Sequence, residues 1–179
     1  MKSEQKCQNI HHHRFGCFQV IYYIQSMNRH YIDWHEIDSL IFRLVYQIKN
    51  SDLKFENIFG LQRGGLIPAV MLSHKLGIPM VKGNIGPNTL IVDDICDSGE
   101  TLDEFVKKYQ TLYSFPFNLK TAVLHHKPHT SCFEPTFYSE KWNKNVWLVY
   151  PWEKEDSKAI QDYKLSFDHT DKNIIFNKN

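Results

Sequence analysis

The sequence predicts an α/β domain organised around a parallel sheet, and three observations carry that reading. Four short apolar runs, FENIFGL (55–61), NTLIVDDI (88–95), LKTAVLHH (119–126) and VWLVYPW (146–152), have strand length and are rich in β-branched and aromatic residues. Segments with helical period, or helix-forming composition between stop signals, separate them. Strands alternating with helices at this spacing need crossover connections, and those give parallel pairing. The third observation is chemical. The second run leads straight into acid, as LIVDDICDSGETL (90–102), at the strand end where open α/β sheets place their ligands.

The elements follow in order. Asp33 or Asp38 can cap a helix that continues through IDSLIFRLVYQIKN, where Ile37, Leu40, Ile41, Leu44, Val45 and Ile48 form one apolar stripe. FENIFGL is a buried strand ending in the glycine-bearing turn LQRGG (61–65). IPAVMLSHKLG (67–77) is a helix with Pro68 in its first turn and Gly77 as its stop. A third helix runs through TLDEFVKKYQTLY (101–113), and VWLVYPW is the last strand. Residues 1–28 show neither period and read as an N-terminal extension; 29–156 form the domain; 157–179 are charged and weakly patterned, a surface segment or tail.

Composition excludes several classes. A net charge of +1 over 179 residues gives no electrostatic case for nucleic acid or a membrane surface as partner. The best apolar run, Cys17 to Ile24, is far too short to span a bilayer and lacks a small-residue cleavage site. Cys7, Cys17, Cys96 and Cys132 have no Cys-x-x-Cys spacing, so a reducing cytoplasm is expected. His11–His13 read as a polar terminal stretch, since no spacing there forces ligands to converge on a metal.

The acidic turn combines opposed chemistries. Gly99 permits a tight backbone, Ser98 and Thr101 bring hydroxyls, and the amides opening the next helix favour an anion such as phosphate. Asp93 and Asp94 repel phosphate but accept from hydroxyls and can hold Mg²⁺. Together these describe a sugar phosphate. Asp97 alone could equally be a helix cap, with Asp93 and Asp94 solvated turn residues, although adjacent carboxylates repel unless something bridges them.

LIVDDICDSGETL resembles the phosphoribosyl pyrophosphate (PRPP) motif of the type I phosphoribosyltransferases. LQRGGLIPAVMLSHKLGIP is similar to the pyrophosphate-loop strand and helix of the xanthine–guanine and hypoxanthine members, LHHKP to their purine-contacting strand end, and WLVYPWE to their C-terminal tryptophan segment. The resemblance covers about residues 30–156 in order. It implies a mainly parallel five-stranded sheet flanked by helices on both faces, and transfer of a phosphoribosyl group from PRPP to a 6-oxopurine in purine salvage, with Mg²⁺ as cofactor.

Site roles come from the same resemblance. Asp93 and Asp94 would bind the ribose hydroxyls and support Mg²⁺. Asp97, Ser98, Gly99, Glu100 and Thr101 would hold the 5′-phosphate, Asp97 also handling a proton on purine N7. Gln62, Arg63, Gly64 and Gly65 would form the pyrophosphate loop, often with a non-proline cis peptide, and Arg63 would offset charge on the leaving group. Lys127 would meet the 6-oxygen, Trp147 would stack on the base, and Leu148 would lie beside it. PRPP and a purine base are the expected partners, and a homodimer is a family prior.

The sequence departs from the family in one place. Type I members usually carry a mobile hood of a few tens of residues before the PRPP-motif strand; here only PMVKGNIGPNT (79–89) fills that position. A non-catalytic PRPP- or nucleotide-binding regulator, or an interaction module with the N-terminal aromatics and His11–His13 as its surface, are therefore the alternatives.

Overall fold

A computed structural model describes residues 28–83, 85–112 and 119–153. Most of the expected extension, the C-terminal segment, Cys7, Cys17 and His11–His13 lie outside the described residues. In chain order the elements are β1 (Arg29–Tyr31), α1 (Trp34–Lys49), β2 (Asn57–Gly60), α2 (Leu66–Leu76), β3 (Thr89–Cys96), α3 (Glu100–Leu112), β4 (Lys120–His126), β5 (Phe137–Lys141) and β6 (Trp147–Val149).

Asp33, not Asp38, starts α1: its Oδ1 accepts the Glu36 N–H at 2.7 Å. The expected stripe is the buried one, and Ile37, Leu40, Ile41 and Leu44 are almost completely hidden from solvent. Burying each such side chain contributes about 1.5–3 kcal/mol before entropy costs. Helix α2 stops where Gly77 takes the left-handed conformation, φ 70°.

The main sheet has the order β2-β3-β4-β5 and is parallel throughout. Helices α1 and α2 pack on one face with Leu90, Val92, Ala122 and Leu124. Helix α3 covers the other through Leu102, Phe105 and Tyr109, against Ile91 and Val123. Both faces are thus covered, as long apolar parallel strands require.

Five strands in one sheet were expected, and the arrangement differs in two ways. The last run forms only Trp147–Val149, which pairs in parallel with β1 in a separate two-stranded sheet. Its place in the main sheet goes to β5, held onto α1 by the Arg43–Glu140 ion pair (3.0 Å) and by Ser139 Oγ donating to the Leu40 carbonyl (2.7 Å). Beyond β2, where the hood would lie, Met80 makes a single bridge to Ile58, fastened by Ile58 N–H to Pro79 O and Val81 N–H to Ile58 O, both 2.9 Å. No helix among the described residues is long and apolar enough to cross a membrane.

Candidate active site

Parallel strands end together, so the segments after β2, β3 and β4 meet at one rim of the sheet. The central one is the acidic turn. Asp93, Asp94, Asp97, Ser98, Gly99 and Thr101 line a cavity of about 200 Å³ there, joined by Ile95, Cys96 and Leu102. Glu100, also expected at the phosphate, is the exposed first residue of α3, and its N–H lies 3.4 Å from Ser98 Oγ.

Side-chain alternation slips at the two aspartates. Ile91 faces α3 and Val92 faces α1 and α2, yet Ile95 again packs on the α1 side and Cys96 on the α3 side. The ladder to β4 passes from Asp93–Val123 directly to Ile95–His125. The carboxylates serve the displaced backbone: Asp93 Oδ1 accepts the Asp94 N–H at 3.0 Å, and Asp94 Oδ1 the Ile95 N–H at 2.8 Å. Such a slip aims both acids at the rim instead of into a layer.

Both aspartates are buried, at 7% and 8% exposure. Burial, then the charge of Asp94, pushes the Asp93 carboxyl well above its ordinary range. Burial and the nearby Glu153 raise Asp94 to about 6. Burial and neighbouring carboxylates disfavour negative charge here more than the backbone N–H groups favour it, and a cation would redress that balance. The donors are hard oxygens, and Mg²⁺ characteristically takes one or two carboxylates, completing its shell with water and phosphate oxygens. The residues therefore fit that ion, although among the described residues no three His, Cys, Asp or Glu side chains converge into a protein-only metal site.

The β2 loop lies directly against this pair. A Cβ on Gly64 would run into the Asp94 carboxylate, and one on Gly65 into the Val92 carbonyl and the Asp93 backbone. Only glycine lets the two loops touch. The preceding Gln62–Arg63 peptide is cis, and both side chains are exposed at the rim.

From the β4 side comes Lys127, whose side chain is only 11% exposed and whose Nζ lies 2.6 Å from Asp97 Oδ2. Thr130 Oγ1 is 2.8 Å from Asp97 Oδ1, so the carboxylate is held from both sides. The segments are stitched together by Lys127 N–H to Cys96 O (2.9 Å) and Cys132 N–H to Ser98 O (2.7 Å). Gly99 has φ 80°, and any Cβ there would strike Ser131 and Phe133.

Trp147 is half-buried at the start of β6, while the Leu148 side chain sits in the α1-side core, which leaves its backbone as the part that could meet a base.

Two residues beyond the expected set tie the tryptophan segment to the acids. The Tyr150 hydroxyl donates to the Asp94 carbonyl at 3.1 Å and lies 2.8 Å from His125 Nδ1. A carbonyl can only accept, so His125 carries its proton on Nδ1 and donates to Tyr150. Burial lowers the His125 pKa to about 4, keeping the ring neutral. Glu153 accepts the Tyr150 N–H at 3.1 Å and adds its field to Asp94. The only advance signal was an acid closing WLVYPWE. Cys96, its thiol pushed up to about 11 chiefly by burial, is a neutral packing residue.

No protein-family model matches the chain. Among solved structures it is similar to a purine phosphoribosyltransferase from Pyrococcus horikoshii Ot3, with a TM-score of 0.61 and 32% identity, covering 72% of this chain and 96% of that one. It is 25% identical to the xanthine-guanine phosphoribosyltransferase of Desulfotalea psychrophila, over 72% of this chain and 88% of the relative. A xanthine-guanine-hypoxanthine phosphoribosyltransferase from Helicobacter pylori shares the fold at a TM-score of 0.60 and 20% identity, covering 70% of this chain and 94% of that one. Because the likeness spans nearly the whole of these proteins, and reaches 32% identity with the first, the chain belongs to the type I purine phosphoribosyltransferases and is an enzyme, a pentosyltransferase.

Proposed function

We propose that this enzyme transfers the phosphoribosyl group of PRPP to a 6-oxopurine, releasing pyrophosphate and forming a nucleoside 5′-monophosphate for purine salvage. The observation that carries this reading is the 2.6 Å contact between Lys127 and Asp97 at the rim of the acidic turn. It joins a cation that can donate to an exocyclic oxygen with a carboxylate that can take a ring proton. An ammonium donates but cannot accept, so Lys127 favours a 6-oxo over a 6-amino purine.

In this reading Asp93 and Asp94 accept from the ribose hydroxyls. The Ser98 and Thr101 hydroxyls, with the amides opening α3, take the 5′-phosphate. As the bond from C1′ to the pyrophosphate oxygen breaks, the electron pair leaves with pyrophosphate and N9 of the base bonds to C1′. Asp97 receives the proton released from N7. Positive charge growing on the ribose is stabilised by the buried carboxylates, and Arg63 offsets charge on the leaving group. Mg²⁺, held through Asp93 and Asp94, would neutralise the pyrophosphate oxygens. The buried free thiol of Cys96 is in keeping with the cytoplasmic location we propose.

The test is direct. Purified protein is incubated with PRPP, Mg²⁺ and guanine, xanthine or hypoxanthine, and pyrophosphate is measured. Release with at least one base is expected; a well-folded protein that releases none with all three refutes the proposal.

A further inference from the structure

We infer that Thr130 is a positioning residue for Asp97, holding one carboxylate oxygen fixed while the other exchanges its lysine partner for the purine. The inference rests on the reading of Asp97 as the group that takes the N7 proton. Its basis is the way the two oxygens of Asp97 are shared. Oδ2 faces Lys127 at 2.6 Å, and Oδ1 faces the Thr130 hydroxyl at 2.8 Å.

Thr130 Oγ1 also lies 3.0 Å from the Asp97 carbonyl and 3.4 Å from the Lys127 carbonyl. A hydroxyl has one proton to give, and the shortest, charge-assisted partner is the carboxylate. The donor is itself anchored. Thr130 N–H and Ser131 N–H both donate to the Lys127 carbonyl, at 3.2 and 3.0 Å, and Cys132 N–H donates across to the Ser98 carbonyl at 2.7 Å. Thr130 thus sits on a turn bonded to the very loop that carries Asp97. Without it, an Asp97 side chain 42% exposed would be held, among the described residues, by Lys127 alone.

That matters when a base arrives. A 6-oxopurine engages Lys127 through its exocyclic oxygen, drawing the ammonium from Asp97. Oδ2 is then open to the N7–H of the same base, while Oδ1 stays on Thr130. The carboxylate keeps its orientation through the exchange, and one swap of partners loads both contacts to the base. A near-attack geometry that is already set saves the cost of ordering it during the reaction.

The experiment compares Thr130→Val, Thr130→Ser, Asp97→Asn and the Thr130→Val/Asp97→Asn double variant. Steady-state kinetics use PRPP, Mg²⁺ and whichever of the three 6-oxopurines the wild type turns over fastest. Thr130 is exposed, so folding should survive, and thermal unfolding checks it. Thr130→Val is expected to lower kcat on the order of tenfold, with the KM for PRPP changed less than about twofold. Thr130→Ser should recover most of the loss, and in the Asp97→Asn background Thr130→Val should have no further effect. The inference is overturned if Thr130→Val matches wild type, if it alters only the KM for PRPP, or if its effect persists undiminished without the Asp97 carboxylate. An inactive wild type removes the parent reading and this one together; an active wild type with an inert Thr130→Val removes this one alone.

Discussion

One turn carries two kinds of carboxylate. Asp93 and Asp94 are buried, and the charge of Asp94 bears on Asp93 as that of Glu153 bears on Asp94, so that both bind protons more readily than free aspartate. Three residues on, Asp97 is partly open to solvent and already satisfied, by Lys127 on one oxygen and Thr130 on the other. The contrast separates groups that need a ligand to be comfortable from a group that must give up a partner to meet one. The first kind binds through relief of strain in charge; the second gains orientation at the cost of an exchange.

The sharpest way to break this contrast is at Asp97. Asp97→Asn keeps the shape and loses the proton acceptor, so kcat should fall about 10²–10⁴-fold with PRPP affinity nearly unchanged, measured by pyrophosphate release and calorimetry. Equal activity would remove Asp97 from the chemistry.

At Asp94 the expected sign is opposite for stability. Asp94→Asn removes a charge that burial and the field of Glu153 disfavour, so without ligand it should stabilise the fold by about 1–3 kcal/mol at pH 8, and it should abolish any rise in melting temperature on adding Mg²⁺. Because the folded pKa, about 6, lies above the ordinary 3.8, the native state holds the proton more tightly. Wild type then loses stability as pH rises through that window. The advantage of the variant should be small near pH 4 and complete above about pH 7, as thermal melts of both proteins across that range would show. An advantage independent of pH would mean Asp94 is not carrying the charge strain.

A further test lies on the support beneath both. Gly99→Ala must adopt φ 80° and push a methyl into Ser131 and Phe133, so a cost of about 2 kcal/mol, read from denaturant unfolding, is expected together with a raised KM for PRPP. A variant as stable as wild type would mean the strap from Lys127 to Phe133 yields easily.

Local pattern was enough to find what depends on local physics. The stripe on α1, the Gly77 stop and the passage of β3 into acid each follow from a few neighbouring residues, which also narrowed the α1 cap to Asp33 or Asp38. What escaped depends on distant partners. FYSEK in β5 has no continuous apolar run and becomes a strand through β4 and α1, nearly a hundred residues away in the case of Ser139 and Leu40 (|i−j| = 99). RHY in β1 has meaning only as the partner of β6. In the site, the acids and the lysine were legible as types in a known order, but the Lys127–Asp97 contact spans 30 positions. Thr130, Tyr150 and Glu153 look ordinary until the fold sets them beside Asp97 and Asp94.

The Tyr150 link also gives the molecule an optical gauge. Its ring lies flat on Trp152, with centroids 4.9 Å apart at 8°, and Trp152 in turn meets the half-exposed Trp34 at 5.9 Å. The far end of this ladder of rings is a hydroxyl on the backbone of Asp94. On the proposed reading, settling of that backbone around a sugar phosphate would change how two indoles overlap with a phenol, so native tryptophan emission should report PRPP binding without any attached dye.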